Sequence, residues 1–192
     1  MPRSEACARF VASDLLAQAE HSEDASSVLV TTSDDLARSV FSELETQIRR
    51  LPRSEIAAQS LRDFGAIIIA KDVEEGCELV NELAPEHLEI MAANEEAIAA
   101  KVRNAGAIFF GQFTPEAVGD YLAGPNHVLP TGGAARFSSA LSVRDFVKRT
   151  NTVKFSEPEL ARMAQMVATL ARSEGLEAHA RSALIRVEES GK

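Results

Sequence analysis

Residues 65–70, Gly65-Ala66-Ile67-Ile68-Ile69-Ala70, form an unbroken apolar run of strand length. A strand with one wet face alternates apolar and polar residues, so a run without polar positions predicts a parallel strand covered on both faces. Gly106-Ala107-Ile108-Phe109-Phe110-Gly111 repeats the pattern, and Ser26 to Thr32 is short and β-branched. Leu88 to Met91 predicts a further short strand. Parallel strands need long crossovers, usually helices, and helical signals fill the gaps. Residues 4–21 place Cys7, Phe10, Val11, Leu15 and Ala19 at roughly helical spacing. Ser33-Asp34-Asp35 gives an N-cap and an acidic first turn to a helix reaching Arg50, with Leu36, Val40, Leu44 and Ile48 spaced by four and Pro52 ending it. Helices are also expected over 54–63, from the Asp72 cap to Leu83, and over 94–104. The alternation predicts an α/β fold with an incomplete, Rossmann-like, mostly parallel sheet and flanking helices.

The end of the chain is different. Thr114-Pro115-Glu116 opens a short helix. Residues 119–133 then hold four of the ten glycines and two of the seven prolines, which predicts a loop with a tightly dictated path. That loop carries Asp120, Asn126, His127 and Tyr121, the only tyrosine. Residues 142–149 look helical, 151–155 alternate like a strand, and 157–189 are helical with a break at Gly175. Domains are therefore expected over 1–150 and, as a helical appendage, over 151–192.

Composition excludes several roles. A net charge of −9 argues against a general nucleic-acid binder and against an anionic membrane surface. No apolar run reaches membrane-spanning length, and the N-terminus lacks the apolar run of a signal peptide. Cys7 and Cys77 form no CxxC pair, so a reducing cytoplasm is the expected compartment. There is no Walker A and no GxGxxG sequence.

The chemistry-bearing residues cluster around four histidines. Gln18 and His21, three apart on a helix, share a face. Glu86-His87 follows Pro85, Asp120 and His127 lie in the glycine-rich loop, and Glu174 and His179 flank the break at Gly175. Singly, none is specific: a lone histidine on a helix is more often a surface or core residue than a ligand, and an aspartate in a Gly/Pro loop is usually a turn former. Together, a His/His/Asp set with a neutral glutamine could bind zinc or another borderline divalent metal, and spacing alone does not choose.

The joint pattern resembles the C-terminal half of the histidinol dehydrogenases. Matching stretches are Gln18-Ala19-Glu20-His21, Ala84-Pro85-Glu86-His87-Leu88, Gly119-Asp120-Tyr121, Gly124-Pro125-Asn126-His127-Val128-Leu129-Pro130-Thr131, and Glu174 with His179, in family order. The resemblance implies oxidation of L-histidinol to L-histidine in two steps through an aldehyde, with NAD as oxidant. It implies one zinc held by Gln18, His21, Asp120 and His179, and counts these four and His87 among the substrate-binding residues. His87 is implied as general base, Glu86 as the carboxylate that activates water, and His127 and Glu174 as substrate contacts. It further implies a homodimer in which His179 crosses to the neighbouring subunit. Family members are longer, and the N-terminal half that matches nothing here carries the NAD-binding domain. The expected function is thus the zinc and substrate half of the enzyme, inactive without an N-terminal half; the alternative is a non-catalytic, zinc-dependent dimeric binding module or remnant.

Overall fold

The computed structural model describes residues 4–188, with side-chain surroundings from Ala8 onward. The expected helix end at residue 189 and the Cys7 side chain lie outside those bounds. The described residues form two compact units, divided between Phe146 and Val147.

In the first unit, α1 (Ser4–Ala19) presents Ala8, Ala12, Leu16 and Ala19 as one buried stripe. The stripe packs on Val40 and Leu44 of α2 (Asp34–Gln47) and on Ala57 of α3 (Ser54–Phe64). Small side chains on α1 allow the close approach that this packing needs. The Ser33 hydroxyl accepts from Leu36 N at the start of α2, as its sequence predicts. Strand β1 (Val28–Thr31) pairs in parallel with β2 (Ala66–Ile69), Val28 opposite Ala66 and Thr31 opposite Ile69. After α4 (Val73–Leu83), β3 (His87–Ile90) pairs in parallel with β4 (Ala107–Phe110). All strand pairing among the described residues is parallel, in two separate two-stranded sheets. Ala66 and Ile69 are exposed, so β2 is not covered on both faces as its apolar run predicts.

The helix expected over 94–104 stops early: α5 spans only Glu95–Ala99. Lys101 N and Val102 N turn to Ile98 O and Ala99 O in the tighter i→i−3 pattern, and Asn81 of α4 holds the residues that follow. Its carboxamide oxygen accepts from Arg103 N at 2.6 Å and Asn104 N at 3.2 Å, and its nitrogen donates to the Lys101 carbonyl at 3.0 Å. Backbone donors that would have continued the helix are spent on this clamp. Conversely, the glycine-rich stretch is not all loop. Gly119, Asp120 and Tyr121 belong to α6 (Glu116–Tyr121). Gly119 is needed there for proximity: a Cβ at this position would lie 2.6 Å from the Phe109 ring. Gly106 is similar, since a Cβ would lie 2.5 Å from the Glu86 carbonyl, next to the start of β3.

The helix expected over 142–149 is a single 3-10 turn, Val143–Phe146, with Ser142 N donating to the Asp145 carboxylate at 2.7 Å. The strand expected over 151–155 does not form. Alternation alone cannot hold a strand that has no neighbour to complete its ladder, and Val153 is exposed.

In the second unit, α7 (Glu157–Ser173) starts on a capping box in which the Glu159 carboxylate accepts from Ser156 N at 2.9 Å. It ends where Gly175, at φ +75°, turns the chain; Gly175 N bonds to Arg172 O and Leu176 N to Ala171 O, the Schellman pattern. Helix α8 (Glu177–Glu188) then packs back on α7 through Ala168, Ala171 and Ala180. Because alanines make that contact, Met163, Met166, Val167, Leu170, Leu176 and Ile185 stay exposed. No described helix is long and apolar enough to cross a membrane.

Candidate functional site

The site is built from three places in the first unit. Helix α1 ends at Ala19, so His21 sits in the turn after it rather than on the helix. His21 N still donates to the Gln18 carbonyl at 3.3 Å, and the His21 carbonyl accepts from the Arg53 guanidinium at 3.1 Å. These two bonds fix the turn that carries the imidazole. His87 opens β3, placed by the end of α4: Ala84 is fully buried in the left-handed region at φ 50°, and Pro85 follows. Its ring packs against Phe109 of β4, centroids 6.0 Å apart. Helix α6 supplies Glu116 and Asp120, four apart and hence on one face.

These elements converge. One ligating atom each of His21, Glu116 and Asp120 lies within 4.8 Å of the others. His87 Nε2 is 3.8 Å from Glu116 Oε1 and 4.0 Å from Asp120 Oδ1. Neither ring nitrogen of His87 has a hydrogen-bond partner, although both are buried. Behind α6, Glu89 lies two residues after His87 and so on the same face of β3. Its Oε1 accepts from Glu116 N at 2.8 Å, and its carboxyl group also meets that of Asp14 on α1.

Burial sets the protonation of this group. Glu89 is pushed up to about 8, first by burial and then by the Asp14 charge. Glu116 is pushed up to about 7, first by burial and then by Asp120. Asp14 is raised by burial. The His87 imidazole is lowered by burial, which outweighs the attraction of Glu86 and Asp120, so the ring is a neutral proton acceptor at neutral pH. A raised carboxyl stabilises the fold fully below its unfolded value and loses that stabilisation as pH rises through the folded value. A depressed imidazole acts in the opposite direction, and only below its ordinary 6.5. Between pH 6.5 and about 8 the carboxyls act alone. The metal-free chain is therefore expected to lose stability across that interval, on the order of 1 kcal/mol once solvent screening is allowed for. Glu89→Gln should flatten the loss. Denaturant unfolding in chelator at several pH values measures it; constant or rising stability would contradict the burial argument.

An imidazole and two carboxylates this close form a donor set suited to a borderline divalent cation such as zinc. Of the residues singled out in the sequence, the fold unites His21, His87 and Asp120, with Gln18 one backbone hydrogen bond from His21. Glu86 precedes His87, and its carbonyl accepts from Ala107 N. His127 is exposed in the segment after α6, and Glu174 and His179 are exposed in the second unit. Sequence reasoning missed Glu116, Glu89 and Asp14. The Glu116–Asp120 spacing was available, but assigning 119–121 to a loop hid it.

Comparison with known proteins places this arrangement in context. The family model for histidinol dehydrogenase matches residues 3–187. Histidinol dehydrogenase from Halalkalibacterium halodurans is 54% identical over 181 residues, covering 94% of this chain and 43% of that protein. The enzyme from Geobacillus kaustophilus is 53% identical over 178 residues, with 93% and 42% covered. The crystal structure of histidinol dehydrogenase from Elizabethkingia anophelis superimposes with a TM-score of 0.91 at 34% identity, over 96% of this chain and 42% of that one. The chain thus spans less than half the length of these relatives.

Proposed function

The chain belongs to the histidinol dehydrogenase family, and on that premise we propose that it is the metal- and substrate-binding half of an enzyme that oxidises L-histidinol to L-histidine. One observation carries the proposal. The buried imidazole of His87 has no partner on either nitrogen and stands beside a cluster of histidine and carboxylate donors. An unpaired, neutral imidazole is the group that can take a proton from an alcohol as its carbon loses hydride. NAD, when bound, would supply the hydride acceptor, and zinc, when bound, would act as a Lewis acid that orients the substrate. His87 takes the hydroxyl proton as the alcohol becomes an aldehyde. Glu86 activates the water that adds to the aldehyde before the second oxidation. Gln18, His21 and Asp120 would hold the metal, with His179 from a second copy, and His127 and Glu174 would contact substrate.

The exposed apolar residues of α7 and α8 support a homodimer, because such a set is normally buried against something. Free, buried Cys77 is in keeping with a cytoplasmic protein. Domain limits of 1–150 and 151–192 fit this division of labour. The chain alone is expected not to reduce NAD with histidinol, and to do so when mixed with a separately produced N-terminal half. Steady NADH formation by the pure 192-residue chain, abolished by His87→Ala, would refute it.

A second arrangement keeps the same cluster without redox chemistry: a zinc-dependent dimer that binds histidinol. Three donors of the cluster lie within the first unit, which is what such a module would need. Calorimetric titration of the chain with histidinol plus zinc separates the two from a ligand-free remnant, which would give no heat.

A further inference from the structure

The proposed metal set of Gln18, His21, Asp120 and His179 leaves out Glu116, although its carboxylate lies in the same cluster and is the most buried one facing the ring. Its side chain is 9% exposed, against 23% for Asp120. A neutral imidazole has one N–H donor and one acceptor nitrogen. A donor left unpaired in a buried site bears its full desolvation cost, so the N–H belongs where an acceptor is within reach. At Nε2 two carboxylates are near, Glu116 Oε1 at 3.8 Å and Asp120 Oδ1 at 4.0 Å; no described carboxylate or carbonyl is bonded to Nδ1.

The two carboxylates are not equivalent. Asp120 is a metal ligand in the proposed function, which commits its lone pairs. Glu116 is anchored from behind, its backbone N–H held by Glu89 at 2.8 Å, so its side chain can turn toward the ring without moving α6. Phe109 flanks the imidazole and limits its tilt. A side-chain rotation of roughly 1 Å brings Glu116 to the ordinary 2.7–2.9 Å of a charge-assisted bond.

We propose that Glu116 is the positioning residue of His87: its carboxylate accepts a hydrogen bond from Nε2–H, which fixes the ring and leaves the lone pair on Nδ1 for the proton to be removed. The proposal rests on His87 being the base, but its test does not. A hydrogen-bonded imidazole N–H exchanges slowly with water and gives a far-downfield proton resonance coupled to its nitrogen; a free one is lost to exchange. The test is imidazole nitrogen–proton NMR of the metal-free 192-residue chain, with the His87 signal assigned from its loss in His87→Asn. The wild type should show a protected Hε2. Glu116→Ala should abolish it, and Asp120→Ala should retain it. Glu116→Gln keeps an acceptor but not the charge, so its signal should remain and move upfield. A protected proton on Nδ1, no protected proton in the wild type, or an Hε2 signal unmoved in Glu116→Gln overturns the proposal. The last comparison decides even where Glu116→Ala does not fold. A wrong assignment of His87 as base would appear separately, as turnover surviving its removal.

Discussion

Replacing His87 with asparagine in an enzyme reassembled from this chain and an N-terminal half is expected to lower turnover by roughly 10²–10⁴-fold, the usual worth of a general base, while zinc remains bound. Asparagine puts a smaller planar polar group between Phe109 and the α6 carboxylates. It removes the nitrogen that accepts the proton. Burial has already lowered that equilibrium, so the wild-type imidazole is ready to accept a proton. Glu86→Gln should behave differently, because the water step belongs to the second half-reaction only. Oxidation of the aldehyde should slow more than oxidation of the alcohol. Stopped-flow measurement of the two half-reactions, with metal analysis of each variant, checks this. Equal and small effects on both would make the pair structural.

The second large effect concerns the metal. His21→Ala or Asp120→Ala is expected to weaken zinc binding at least about 100-fold, since loss of a mere outer-sphere partner already costs 10–100-fold. Each variant removes one of the donors that the fold gathers within 4.8 Å. Calorimetry on the chain itself reads the affinity without any need for turnover. The proposed dimer ties the same metal to association. A cation bound only by the assembled form stabilises that form by mass action. Chelator should therefore shift the protein toward monomer or aggregate, and His179→Ala should do so even with zinc present. Sedimentation velocity of both proteins, with zinc and with chelator, decides the matter. A monomer indifferent to chelator in both would exclude a shared site.

Much of the architecture is legible before folding. The apolar runs at 65–70 and 106–111 become β2 and β4, the Ser33 and Asp72 caps start α2 and α4, and Gly175 separates α7 from α8. These are local decisions: a cap, a glycine at positive φ or a β-branched run constrains its own few residues whatever surrounds it. The failures were equally physical. The helix over 94–104 tightens after Ala99, and the Asn81 carboxamide, a partner about twenty residues away, holds the residues that follow. Residues 151–155 alternate correctly but have no strand to pair with.

At the site the division is the same. His21, His87 and Asp120 announce themselves as residue types, and the family resemblance orders them. Glu116, Glu89 and Asp14 do not, because a glutamate or aspartate in a sequence is ordinarily solvated and ordinarily ionised. Only tertiary packing gathers these carboxyl groups away from water, pushes Glu89 to about 8 and Glu116 to about 7, and sets Glu116 beside an unpaired imidazole. The sequence by itself determined most of the elements, their parallel pairing and the histidine and Asp120 donors, since these follow from periodicity and side-chain chemistry within short windows. Which carboxylates face His87, and in what protonation state, was decided by the tertiary structure alone, because desolvation and charge proximity belong to neighbours in space.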